Sequence, residues 1–174
     1  MIFGIGIDVL EARRMHASYA RFGNHLLDRL LLPQERRQFE LTRRPERFLA
    51  MRFAAKEAIV KAMGTGFAHG VWIRDVGVVQ NAWGKPEVIY SARGERLRRR
   101  LGVGEGHVTL TDEAGLIVAV AVLLRRAGKV TGGKGRPGKL LAGKLSAGKL
   151  SAGKVRAVRA RAAARSPSKR GSRR

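Results

Sequence analysis

An α+β fold is predicted, on three observations. Up to Ala62, apolar residues after a short opening strand recur at helical spacing. Beyond Gly64-Thr65-Gly66 the period becomes extended. The run from Leu116 to Leu124 is apolar on both alternating faces, as a strand covered on both sides requires. Helices and strands that segregate in this way suit a long helix packed on a small, mainly antiparallel sheet.

The elements follow in chain order. Residues 2–8, Ile-Phe-Gly-Ile-Gly-Ile-Asp, read as a buried strand ending in an acid, with glycines that allow close backbone approach. Residues 10–31 read as helix, broken near Gly23. Pro33 suits the first turn of a short helix through Phe39. Residues 45–62 make the strongest helix: Ala, Leu, Met, Glu and Lys favour it, and Phe48, Leu49, Met51, Ala55, Ile59 and Ala62 form its apolar stripe. Gly64-Thr65-Gly66 ends it. Strands are expected at 71–80 and 86–91, joined through Gly84-Lys85. An arginine-rich helix follows at 92–102. A hairpin of 106–111 and 116–124 turns at Asp112-Glu113-Ala114-Gly115.

Charge divides the chain into a domain, residues 1–125, and a tail, residues 126–174. Of 36 basic and 13 acidic residues, positions 125–174 carry 17 basic and no acidic ones. Positions 1–124 therefore keep 19 basic and all 13 acidic residues, a net of +6. In the tail, lysines stand at 134, 139, 144, 149 and 154, and the unit is Leu-Ser-Ala-Gly-Lys. A period of five lines no face of a helix or strand. High charge and glycine without aromatics lead us to expect disorder there. Absence of cysteine excludes disulfides and thiolate metal sites. The apolar runs are too short to span a bilayer, and the start lacks the pattern of a signal peptide, so a cytoplasmic protein without membrane association is expected.

Two carboxylates stand out. Asp8 ends the first strand and Glu57 lies in the long helix. Each also has a plain reading, Asp8 as a surface acid and Glu57 as the partner of Lys61 one helical turn on. Together they are hard oxygen donors suited to Mg²⁺, which takes one or two carboxylates with water and substrate phosphate. Lys56, Lys61 and the Gly64 turn lie close in sequence and could receive phosphate oxygens. Gly84-Lys85-Pro86 is a second Gly–Lys turn.

These residues resemble a known family. Gly4-Ile5-Gly6-Ile7-Asp8-Val9 with Glu11 and Arg14 resembles the opening of holo-[acyl carrier protein] synthases. Arg47-Phe48-Leu49-Ala50, Arg52-Phe53-Ala54-Ala55-Lys56-Glu57-Ala58 and Lys61-Ala62-Met63-Gly64-Thr65-Gly66 resemble their signature helix. Gly84-Lys85-Pro86 and His107-Val108-Thr109-Leu110-Thr111 follow in the same order. The resemblance implies the 4′-phosphopantetheinyl transferase fold and transfer of 4′-phosphopantetheine from coenzyme A to a serine of apo-acyl carrier protein, in support of fatty acid biosynthesis. It implies Asp8 and Glu57 as Mg²⁺ ligands, with Lys61 on the pyrophosphate. Gly64, Lys85, Pro86 and His107 fall near the nucleotide, and Arg14 and Arg21 on the surface that meets the carrier. It also implies a homotrimer with sites between subunits, which would cover the apolar strand. One departure stands at Asp112, where the family usually carries histidine. A separate reading, from the tail alone, is non-specific nucleic acid binding through its lysines and arginines.

Overall fold

A computed structural model describes residues 1–67 and 69–127 of the chain; the tail expectations lie outside these residues. The elements are β1 (Ile2–Glu11), α1 (Ala12–Phe22), α2 (Asn24–Leu30), α3 (Pro33–Glu40), α4 (Pro45–Ala62), β2 (Val76–Gln80), β3 (Pro86–Tyr90), α5 (Ala92–Leu101), β4 (Val103–Glu113) and β5 (Leu116–Arg125). The strands form one antiparallel sheet of order β1-β5-β4-β3-β2.

The sheet places the α4 helix against β1 and β5. Two glycines make that packing possible. A Cβ on Gly6 would stand 2.0 Å from the Ala58 carbonyl oxygen, and one on Gly4 would stand 2.1 Å from that of Ala62. No side chain fits there, so the backbones of β1 and α4 meet directly. Ile117, Ala119, Ala121 and Leu123 of β5 face the same core as Leu49, Ala55, Ala58 and Ile59 of α4. Small residues on both surfaces let the layers approach, and the long residues fill what remains.

The core also holds an ion pair. Glu35 and Lys56 are both fully buried, with Lys56 Nζ 2.8 Å from Glu35 Oε2. Lys56 donates as well to the carbonyls of Ile73 (3.2 Å) and Val76 (2.8 Å). Glu35 accepts from the backbone N–H groups of Leu32 and Val78. The pair thus ties α3, α4 and β2 together. Burial pushes the Lys56 ammonium down in pKa, and Glu35 opposes that shift. Lys56, expected to add charge at a phosphate site, is a core residue instead, because its side chain leaves α4 on the side of β2.

Three other expectations change. The strand expected at 71–80 starts only at Val76; Asp75 accepts from the Trp72 N–H and from the Ser91 hydroxyl, and holds 72–75 in a turn. Among the described residues, the single chain covers β5 on one face. Its other face carries Val118, Val120 and Val122, which pair with Val9, Ile7 and Ile5 of β1. Those three β1 side chains are 55–58% exposed. The hairpin turn is tighter than the expected Asp112-Glu113-Ala114-Gly115: β4 runs on through Glu113, and Ala114 and Gly115 both adopt positive φ, as a two-residue turn with the right twist requires.

Candidate active site

Asp8 lies near the end of β1, on the side that faces α4. It pairs in register with buried Ala119, while its neighbours Ile7 and Val9 point to the open face. The contact through Gly6 brings α4 close enough for Lys61 Nζ to reach Asp8 Oδ1 at 2.7 Å and the Ile7 carbonyl at 3.1 Å. Lys61 therefore binds Asp8 across the two elements, and the plain reading of a Glu57–Lys61 pair within the helix does not hold.

Glu57 stands one helical turn before Lys61, half-buried. Its carboxyl is held above the ordinary carboxylate value, first by burial and then by the negative charge of Asp8, with Lys61 opposing. Glu57 thus feels the charge of Asp8. Two carboxylates beside one ammonium are a place where a divalent cation gains energy. The donors are all oxygen, which fits Mg²⁺. Among the described residues no cluster of three or more acidic or histidine side chains forms, so protein ligands would leave coordination positions open for water and phosphate.

Gly64 follows Met63, the C-cap of α4, with φ +73°, and nothing lies within 4 Å of a Cβ built there. It ends the helix in the left-handed region and leaves open space beside the turn. The Gly66 N–H turns back onto the Val60 carbonyl.

A second group is separate in the single chain. Lys85, Pro86 and His107 line a groove of about 940 Å³ with Tyr90, Arg98 and Arg126. His107 pairs in register with Glu87 and lies on β4. Asp8, Glu57 and Lys61 do not line that groove. The structure therefore joins Asp8, Glu57 and Lys61 in one cluster, and Lys85, Pro86 and His107 in another.

Arg14 lines a cavity of about 250 Å³ between α1, α2 and α4, with Met15, Leu26, Arg29, Phe53 and Ile73 among its walls. Arg21, in the last turn of α1, is exposed and stacks on the Phe22 ring at 5.0 Å. Both arginines are thus on α1, beside apolar side chains.

Asp112 proves not to be a free charge. It forms an ion pair with Arg47, at the start of α4. Its register partner is buried Ile117, which places it on the α4 side of β4, whereas His107, Thr109 and Thr111 alternate to the other side. Sequence reasoning singled out neither this pairing nor Glu35. For Glu35 a signal existed: an acid three residues after Leu32, with Pro33 between, has the spacing of a side chain that caps its own helix. Arg47 and Asp112 are 65 residues apart, and no local pattern links them.

Comparison with known proteins shows the family. Residues 4–121 match the family model of the 4′-phosphopantetheinyl transferase superfamily. A holo-[acyl-carrier-protein] synthase of Thiobacillus denitrificans is 43% identical over 127 residues, 73% of this chain and 97% of the relative. One from Vibrio cholerae is 40% identical over 126 residues, 72% of this chain and all of the relative. Among solved structures, the holo-[acyl-carrier-protein] synthase of Neisseria meningitidis superposes with a TM-score of 0.68 at 34% identity, over 72% of this chain and 100% of that one. That of Bacillus anthracis, in complex with CoA (3′,5′-ADP), superposes with a TM-score of 0.59 at 32% identity, over 73% of this chain and 99% of that one. The chain belongs to the 4′-phosphopantetheinyl transferase superfamily and, within it, to the holo-[acyl-carrier-protein] synthases.

Proposed function

We propose that this enzyme transfers 4′-phosphopantetheine from coenzyme A to a serine of apo-acyl carrier protein, with Mg²⁺ at Asp8 and Glu57, and so supports fatty acid synthesis. The observation that carries the reading is the cluster itself: two carboxylates and Lys61 drawn together by the glycine contact of β1 with α4. The serine oxygen attacks the phosphorus next to the pantetheine arm. A new P–O bond forms, the bond to adenosine 3′,5′-bisphosphate breaks, and the serine proton leaves to a base. Bound Mg²⁺ would withdraw charge from the pyrophosphate and orient it. Asp8 and Glu57 supply the negative oxygen donors. Lys61, half-exposed beside Asp8, supplies a cation for charge on the departing phosphate. Lys85 and His107, at the rim of the large groove, are suited to the nucleotide phosphates, with Pro86 and Gly64 leaving room for its approach.

The separation of the two clusters favours a shared site. The open face of β1 and β5 presents Ile5, Ile7 and Val9 with Val118, Val120 and Val122, and His107 on β4 pairs with Val122 at its margin. Burying that face in a homotrimer would remove apolar area from water and bring His107 toward a neighbour's Asp8. Arg14 and Arg21, with the apolar walls around Arg14, suit an acidic carrier protein. Cytoplasmic localisation fits these substrates, and among the described residues no helix is long and apolar enough to cross a membrane.

The test is mass spectrometry of apo-acyl carrier protein incubated with the full chain, coenzyme A and Mg²⁺. Gain of one phosphopantetheine, with release of adenosine 3′,5′-bisphosphate, supports the reading. An unchanged carrier with Mg²⁺ present refutes it.

A further inference from the structure

The α5 helix carries five arginines and one glutamate, and its arginines fall into two sets. Arg98 and Arg99 both pair with Glu95, and Arg98 donates further to the carbonyls of Val103 and Gly104. These are structural. Arg93 is fixed by the Asp75 carboxylate and lies over the Trp72 ring at 4.2 Å. Arg96 and Arg100 are exposed, and among the described residues no carboxylate pairs with either. With Arg93 they stand at i, i+3 and i+7, on one face of the helix.

That face is concave. Arg93, Arg96 and Arg100, with Gly70 and Leu97, line a cavity of about 480 Å³. Neither the metal cluster nor the large groove shares Arg96 or Arg100. The last described residues lie at the end of the same helix: the Arg126 N–H donates to the carbonyl of Gly102, the α5 C-cap, at 2.8 Å. From Arg125 onward the sequence contains 17 basic residues and no acidic one.

We infer that the Arg96–Arg100 face of α5 binds the phosphodiester backbone of nucleic acid, independently of transferase chemistry. Guanidinium groups fit phosphate oxygens in a fork geometry, and a concavity lets two of them converge on one phosphate. Leu97 is the lone apolar side chain in the wall, which gives an acyl chain or an apolar protein anchor little to enter. No aromatic side chain lines it for stacking on bases, so recognition is by backbone charge, without sequence preference. Duplexes are the better match, because their phosphates form a dense regular array.

The test is binding of the full chain to a labelled duplex of mixed sequence over a salt series, compared with Arg96→Ala/Arg100→Ala and with Arg43→Ala/Arg44→Ala. The second pair removes equal charge from exposed arginines before α4. The α5 pair should make the log–log salt slope shallower by about 1.8, so that over a fourfold rise in salt the variant loses about tenfold less affinity than wild type does. The Arg43/Arg44 pair should change it far less, and carrier modification by both variants should match wild type. Equal effects of the two pairs would mean bulk charge and overturn the site, as would no duplex binding. Displacement of duplex by stoichiometric apo-acyl carrier protein would assign the face to the carrier instead and also overturn it.

Discussion

Lys61 Nζ donates to Asp8 Oδ1 over 2.7 Å, a bond between residues 53 positions apart that exists only because Gly6 lets α4 lie directly on β1. A Cβ at Gly6 would also stand 2.5 Å from the Ala62 amide nitrogen. Neither neighbour is a flexible side chain end, so the helix itself must shift. Gly6→Ala should therefore lower stability by about 1–3 kcal/mol, measured by urea unfolding, and should cut transfer more than its stability loss explains. Wild-type stability in this variant would contradict the packing.

Glu57 gives the clearest pH prediction. Its folded pKa lies above the ordinary 4.5, through burial and then Asp8. A raised carboxyl pKa favours the fold below the unfolded value, and that contribution is lost as pH rises through the folded value. At neutral pH the ionised group is thus a burden in the metal-free protein. Glu57→Gln should melt at or above the wild-type temperature at pH 7.5 with EDTA, and the difference should shrink toward pH 4. Added Mg²⁺ with coenzyme A should raise the melting temperature of wild type and leave that of Glu57→Gln nearly unchanged. Differential scanning fluorimetry reads both.

Glu35 and Lys56 form a fully buried pair in the core. Removing one partner leaves a charge or its hydrogen-bonding groups unpaired in the core, at about 3–5 kcal/mol. Glu35→Ala and Lys56→Met should each unfold early in denaturant titrations, and Glu35→Leu/Lys56→Met should regain much of the loss. Two additive losses would contradict the pairing.

Arg47 holds the charge of Asp112. Removing Arg47 alone would leave the Asp112 carboxylate unpaired on the α4 side of the sheet, the side on which Asp8 lies, with repulsion toward substrate phosphate. Arg47→Ala should raise the KM for coenzyme A several-fold, and Arg47→Ala/Asp112→Ala should return it toward wild type. The Arg47 half of this pair is 44% exposed and the Asp112 half 22%, so its share of stability should be about 1 kcal/mol or less.

The open sheet face predicts an oligomer. Val120→Asp places a charge at the middle of the row formed with Ile7 and Thr109. Sedimentation should show wild type as a trimer and Val120→Asp as a monomer without transfer activity. A monomeric, active wild type would remove the shared site.

Much of this was legible in the sequence, because local rules decide it. The α4 helix spans 45–62 as its propensities and flanking Pro45 and Gly64 imply. The break near Gly23 falls where the glycine implies, at a positive φ. What was not legible depends on which side of an element a residue faces in three dimensions. Lys56 and Glu57 are adjacent, yet α4 sends one into the core toward Glu35 and the other toward Asp8. Lys61 had a plausible partner one turn away and took a distant one. Asp112 looked like an unpaired charge beside phosphate until Arg47 was found against it.

The central claim is that Asp8 and Glu57 act together through a divalent cation. The most direct measurement is the initial rate of carrier modification as Mg²⁺ is titrated, for wild type, Asp8→Asn and Glu57→Gln. The account predicts no transfer by wild type in EDTA, saturation as Mg²⁺ is restored, and for each variant a loss of about a hundredfold or more at any Mg²⁺ concentration. Transfer by either variant at the wild-type rate, or transfer that persists in EDTA, would contradict it.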